Sequence, residues 1–144
     1  MPVKPIPDGY HTVTPYLVVN DVRAVIEFAK KAFDAIEMGV MEGPDGRIAH
    51  AEIRIGDSPI MLGGAGEKSS PMPATLYLYV EDTDALYAKA IAAGGESLME
   101  PADQFYGDRN AGVRDSQGNC WWIGTHVEDV PPDELKRRAE AAGK

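Results

Sequence analysis

The sequence predicts an α+β fold made of two βαβββ modules followed by a C-terminal helix. Three observations point there. Thr14-Pro15-Tyr16-Leu17-Val18-Val19-Asn20-Asp21 returns as Thr75-Leu76-Tyr77-Leu78-Tyr79-Val80-Glu81-Asp82, with Thr, Tyr, Leu, Val and Asp in register 61 residues apart. A stretch rich in Gly, Ser and Pro, residues 63–73, divides the two copies and reads as a linker. After each copy the apolar spacing changes from strand-like to helix-like. One internal duplication explains all three; chance likeness of two strand–helix junctions is the alternative.

The elements follow in order. Asp21 caps a first helix whose apolar positions are Val22, Val25, Ile26, Ala29 and Phe33, and which ends near Phe33-Asp34-Ala35. Strands are expected near Ile36–Glu42, Arg47–Ile55 and Ser58–Leu62, separated by Gly43-Pro44-Asp45-Gly46 and Gly56-Asp57-Ser58-Pro59. The second helix starts near Asp82, presents Leu86, Ala90 and Ala93 on one face, and stops at Gly94-Gly95. Its strands are expected near Glu96–Glu100, Gly112–Asp115 and Asn119–Thr125. The tail from Pro131 reads as a helix with acids in its first turn and bases after them. The expected organisation is one domain over residues 1–144. Module 1 covers about 12–62, the linker 63–74, module 2 about 75–126 and the last helix about 131–142.

Composition narrows the function. A chain of 144 residues with 44% hydrophobic and 26% charged residues is an ordinary globular domain. A net charge of −9 disfavours nucleic acid as a partner. No run reaches the roughly 18 apolar residues of a membrane helix, and the N-terminus has no apolar signal core. One cysteine, Cys120, excludes an internal disulfide and a CxxC zinc site. The expectation is a cytoplasmic protein that binds neither membranes nor nucleic acid.

Strand parity separates two faces. Leu17, Val19, Ile53, Ile55, Ile60, Leu62, Leu76, Leu78, Val80, Trp121 and Ile123 form the side under the helices. The other side carries Thr14, Tyr16, Val18, His50, Glu52, Arg54, Met61, Thr75, Tyr77, Tyr79, Cys120, Trp122 and Gly124. So much aromatic area suits a ligand cavity better than a wetted sheet, with an oligomer interface as a further use.

The repeated βαβββ pattern resembles the vicinal oxygen chelate superfamily, also called the glyoxalase/bleomycin-resistance/dioxygenase superfamily, and within it the PhnB-like group. The marks are Glu27-Phe28 and Ala32-Phe33, Ile48-Ala49-His50-Ala51-Glu52 with Ile55-Gly56-Asp57-Ser58, Phe105-Tyr106-Gly107-Asp108-Arg109, and Asp115-Ser116-Gln117-Gly118-Asn119-Cys120-Trp121-Trp122-Ile123-Gly124-Thr125-His126. Mild departures are Asp34 for the group's frequent glycine, Tyr106 for its Trp, and Asp115-Ser116-Gln117-Gly118 for Asp-Pro-Phe-Gly. The resemblance implies a half-open, cup-shaped mixed sheet, usually in a homodimer. Metal-dependent members carry four ligands on the cup floor; by register those positions are Thr14, Met61, Thr75 and Trp122. None is a good donor for Zn, Ni, Mn or Fe. The expectation is therefore no metal and no cofactor.

The candidate site residues each keep two readings. His50 and Glu52 are candidates for proton transfer, or an ion-paired strand surface. Arg109 lies on a loop beside Tyr106 and would clamp an anionic group, or join a structural Asp–Arg network. Tyr16, Tyr77 and Trp122 offer stacking surfaces, or simple packing. Cys120 is expected to be inert, and His11 and His126 to be ordinary surface residues. The leading reading is a non-chelating protein that binds an aromatic or amphipathic small molecule. Acidity favours a cationic one. The alternative is a metal-dependent lyase or dioxygenase using His50 and Glu52; a third is a structural dimer with a vestigial cup.

Overall fold

Each module sends one strand into one helix and returns through three strands. The computed structural model describes residues 2–143. The first module holds β1 (Tyr16–Val19), α1 (Val22–Phe33), β2 (Ile36–Glu42), β3 (Ile48–Ile55) and β4 (Ser58–Gly64). The second holds β5 (Thr75–Tyr79), α2 (Thr83–Ala92), β6 (Glu96–Asp103), β7 (Asp108–Arg114) and β8 (Cys120–His126), and α3 (Pro132–Ala141) follows. The two four-stranded sheets have the orders β1-β4-β3-β2 and β5-β8-β7-β6. In each, the first strand runs parallel to the fourth and the other pairings are antiparallel.

The duplication extends to the caps. Asp21 accepts from the Ala24 amide at 3.1 Å and Asp82 from the Ala85 amide at 3.1 Å, so both helices start on an aspartate in extended backbone. Asp34 ends α1 in the left-handed region at φ 56, where aspartate is tolerated, and its carboxylate meets Lys89 of α2 at 3.1 Å.

The two modules share one core. Leu17, Ile26, Ile53, Leu62, Trp121 and Ile123 are fully buried. Phe28 and Phe33 of α1 pack on Trp121 of β8 with ring centroids 6.2 and 5.2 Å apart. The Trp121 indole N–H donates to Asp115 at 2.9 Å, and the same carboxylate accepts from the amides of Gln117 and Asn119 and from the Asn119 side chain. Asn119 in turn accepts from the Ala74 amide at 2.9 Å, tying the β7–β8 turn to the start of β5.

Two features differ from expectation. Leu76, Leu78 and Val80 are only partly buried, and they line a hollow of about 560 Å³ with Phe33, Ile60 and Leu86. β6 and β7 are longer than the turn signals suggested. Pro101 sits on the edge strand β6, where a missing N–H is harmless, within a stretch of shifted register.

Candidate functional site

The faces turned away from the helices carry the same local device twice. In the first module Tyr16 stands opposite Met61 and leans along β4 onto Gly63. A Cβ at Gly63 would lie 2.8 Å from the ring. Gly63 pairs with His50 of β3, so the phenol reaches across the glycine to His50 Nδ1 at 3.2 Å. His50 Nε2 lies 3.3 Å from Glu52, whose other oxygen accepts from the Tyr10 hydroxyl. In neutral His50 an N–H on Nε2 faces the carboxylate and leaves Nδ1 to accept from Tyr16. Thr14, Met61, Glu52 and Tyr10 line a cavity of about 570 Å³ that His11 and Ile6 also border.

In the second module Tyr77 stands opposite Trp122 and leans onto Gly124, whose partner is Asn110 of β7. Here the imidazole is replaced by an amide. Asn110 Nδ2 donates to the Tyr77 oxygen at 3.0 Å and to the Tyr106 oxygen at 2.7 Å. Tyr77 and Tyr79 both donate to Asp108 Oδ2, at 2.7 and 3.0 Å. His126 meets Asp108 through Nδ1 at 3.0 Å and Asp129 through Nε2 at 2.7 Å. Asp108 is 4% exposed and Asn110 3%. Trp122 lies over Gly112, where a Cβ would come within 2.5 Å of its ring. Tyr77, Met99, Gln104, Tyr106, Asn110 and Trp122 line an open hollow of about 330 Å³.

The electrostatics follow from these partners. Burial pushes Asp108 up, but donation from His126, Tyr77 and Tyr79 outweighs it and holds the carboxyl below its ordinary value. Burial and the adjacent Asp108 charge raise Tyr77 well above a normal phenol, against the opposing hydrogen bond from Asn110. Asp108 raises Tyr79, and Asp108 with Asp129 raises His126. Asp108 is therefore a fixed anion surrounded by three donors.

The expected site residues fall into two groups. Thr14, Tyr16, His50, Glu52 and Met61 share the first face; Tyr77, Tyr106 and Trp122 share the second. Among the described residues no hydrogen bond joins the two groups. Thr75 is exposed at the start of β5, opposite Cys120. Arg109 needs correction: it belongs to β7, not to a loop, and its parity matches Ala111 and Val113 on the helix side. Its guanidinium is held by Asp84 in the first turn of α2, at 3.1 Å, and by Asp103 at 3.3 Å. That is the Asp–Arg network, the second of the two readings given for Arg109. The turn carrying Phe105, Tyr106 and Gly107 is the loop.

Asp108, Asn110, His126 and Tyr10 were not on the candidate list. Extending β7 by four residues puts Asp108, Asn110 and Gly112 on one parity, which is the signal that could have found the first two. The donor set does not fit the superfamily's metal. Thr14, Met61, Thr75 and Trp122 supply no imidazole or carboxylate, and Asp108 and Asp129 occupy opposite nitrogens of His126. Among the described residues no three His, Cys, Asp or Glu side chains converge to hold an ion.

Comparison with known proteins gives a consistent answer. The family model described as Glyoxalase/Bleomycin resistance protein/Dioxygenase superfamily matches residues 10–123. An uncharacterized protein of Mycobacterium bovis is 37% identical over 142 residues, covering 91% of this chain and 93% of that protein. An uncharacterized protein of Mycobacterium tuberculosis is also 37% identical over 142 residues, with 91% of this chain and 84% of that one covered. Among solved structures, TioX from Micromonospora sp. ML1 superposes with a TM-score of 0.70 at 21% identity, over 81% of this chain and 99% of that one. A PhnB protein from Bacillus cereus gives 0.63 at 18% identity, over 80% and 99%. At these identities the structural likeness concerns the fold.

Proposed function

The chain belongs to the glyoxalase/bleomycin resistance protein/dioxygenase superfamily, and from that premise we propose that it binds a small aromatic or amphipathic molecule without the superfamily's metal. The observation that carries this reading is the character of the two sheet faces. Tyr16, Tyr77 and Tyr106 are 52, 42 and 39% exposed, and Trp122 is half-buried beside Tyr77 and Tyr106. Their hydroxyls are oriented by His50, Asp108 and Asn110, while the four positions where relatives bear metal ligands hold Thr14, Met61, Thr75 and Trp122. Apolar walls with a few fixed polar groups are what an organic ligand needs.

We place the chain in the PhnB-like group on the marks from Glu27 to His126, and we propose that it works as a C2 homodimer in the cytoplasm. Each sheet leaves an aromatic face uncovered in one copy, and among the described residues its edges stay unpaired apart from a bridge of Met72 onto Val18 of β1. The net charge of −9 favours a cationic ligand over an anionic one and disfavours nucleic acid. No helix is long and apolar enough to cross a membrane.

The test is a fluorescence titration with aromatic ligands, joined to elemental analysis. Quenching that disappears in Trp122→Ala, with no stoichiometric transition metal, is the expected result. A second reading, a metal-dependent lyase or dioxygenase, draws on the 3.3 Å approach of His50 to Glu52 beside the larger cavity. Stoichiometric metal lost on His50→Ala would establish it in place of the first.

A further inference from the structure

Resting on the binding reading above, we infer that the second-module cavity takes a planar ligand with a lactam-type edge, a C=O beside an N–H, read by Tyr106 and Asn110. The argument follows the protons. Asp108 is an anion, and an ionised carboxylate only accepts. Tyr77 and Tyr79 therefore both point their protons at Asp108 Oδ2. With its one proton committed, the Tyr77 oxygen has to accept from Asn110. That settles the orientation of the amide, which hydrogen-bond networks otherwise leave open: Nδ2 faces Tyr77, at 3.0 Å. The second Nδ2 hydrogen goes to the Tyr106 oxygen at 2.7 Å.

Two groups are left over, and both belong to residues lining the same cavity. The Tyr106 oxygen already accepts, so its own O–H is free to donate, and among the described residues it has no acceptor. The Asn110 amide oxygen is buried without any hydrogen-bond partner. An orphaned buried acceptor is costly, and it calls for an explanation. One donor and one acceptor on residues joined by a 2.7 Å hydrogen bond are complementary to an acceptor and a donor on adjacent atoms of a ligand. The Asn110 oxygen is sealed, whereas Tyr106 stands on a turn and is partly exposed, so binding includes a movement of the Tyr106 side that lets the ligand N–H reach Asn110. The Asn110–Tyr106 bond also polarises the free O–H and strengthens it as a donor. Trp122 and Met99 supply the apolar walls for the ring.

The experiment titrates the full chain with oxindole, N-methyloxindole and indane. The three have similar shapes, but only the first carries both polar groups. Trp122 fluorescence and amide NMR shifts report binding. Oxindole is expected to bind about tenfold more tightly than either of the others, the worth of one net hydrogen bond or slightly more. Tyr106→Phe should lower oxindole affinity about tenfold and leave indane unchanged; because it also removes the acceptor of Asn110 Nδ2, the urea midpoint should fall, and a native-like amide NMR spectrum confirms the fold. Equal binding of all three, or no effect of Tyr106→Phe on oxindole, would overturn the lactam inference while the aromatic binding reading stands. No response to any of the three would overturn both.

Discussion

Gly63 and Gly124 occupy equivalent places, yet the same substitution should cost different amounts at each. Alanine at either would collide with a tyrosine ring. Tyr16 is half exposed and, among the described residues, its hydroxyl is held only by His50, so it can swing out. Tyr77 is pinned by Asp108 and Asn110 together. Gly124→Ala should therefore lose about 1–3 kcal/mol in urea unfolding, the usual range for overpacking, and Gly63→Ala clearly less. A second expectation concerns Asp115, which accepts four hydrogen bonds in a buried turn. Asp115→Ala strands several buried donors and should cost about 3 kcal/mol or more on the same measurement. At this scale the sequence was legible where parity could be counted. It placed Tyr16, His50, Glu52, Met61, Tyr77 and Trp122 on cup-side faces. It left two readings open at Arg109, because charge type does not tell whether a guanidinium meets a ligand or the Asp84 carboxylate.

Helices and turns are announced by local chemistry, and strand ends are not. The caps Asp21, Asp34 and Asp82 were readable because each makes its bond within a few residues or takes a special backbone conformation. The start of β7 was hidden because Asp108 and Asn110 look like loop residues, and only pairing with β8 draws them into the sheet. That pairing sets His126 at the end of β8 against Asp108, with a consequence for pH. The His126 pKa is raised in the folded protein, first by Asp108 and then by Asp129. Its stabilising contribution is therefore complete below the ordinary imidazole value of about 6.5 and is lost as pH rises through the folded value. Asp108 is lowered, so its contribution is present above the ordinary carboxyl value and is lost as acid reaches the folded one. The urea midpoint should fall as pH rises above about 6.5, and His126→Gln should remove that part of the fall.

For the whole molecule, the proposed homodimer should scatter light as twice 15.5 kDa at micromolar concentration; a monomer would contradict it. The duplicated architecture could be read from the 61-residue repeat, since repetition is a property of the chain itself. How the modules join could not be read, because Phe28 and Phe33 meet Trp121 across the two modules and such a contact has no local signature in the chain. That meeting also determines how the protein comes apart. Two modules joined only by a tether would melt one after the other, whereas a module whose helix supplies the other's aromatic filling has no independent stability to fall back on. A single calorimetric transition is expected. Proteolytic nicking in the exposed stretch around Glu67-Lys68-Ser69 should leave two fragments that stay together on a sizing column and separate only in denaturant. The tether is then dispensable for cohesion, and the chain behaves as a self-complementing pair of halves.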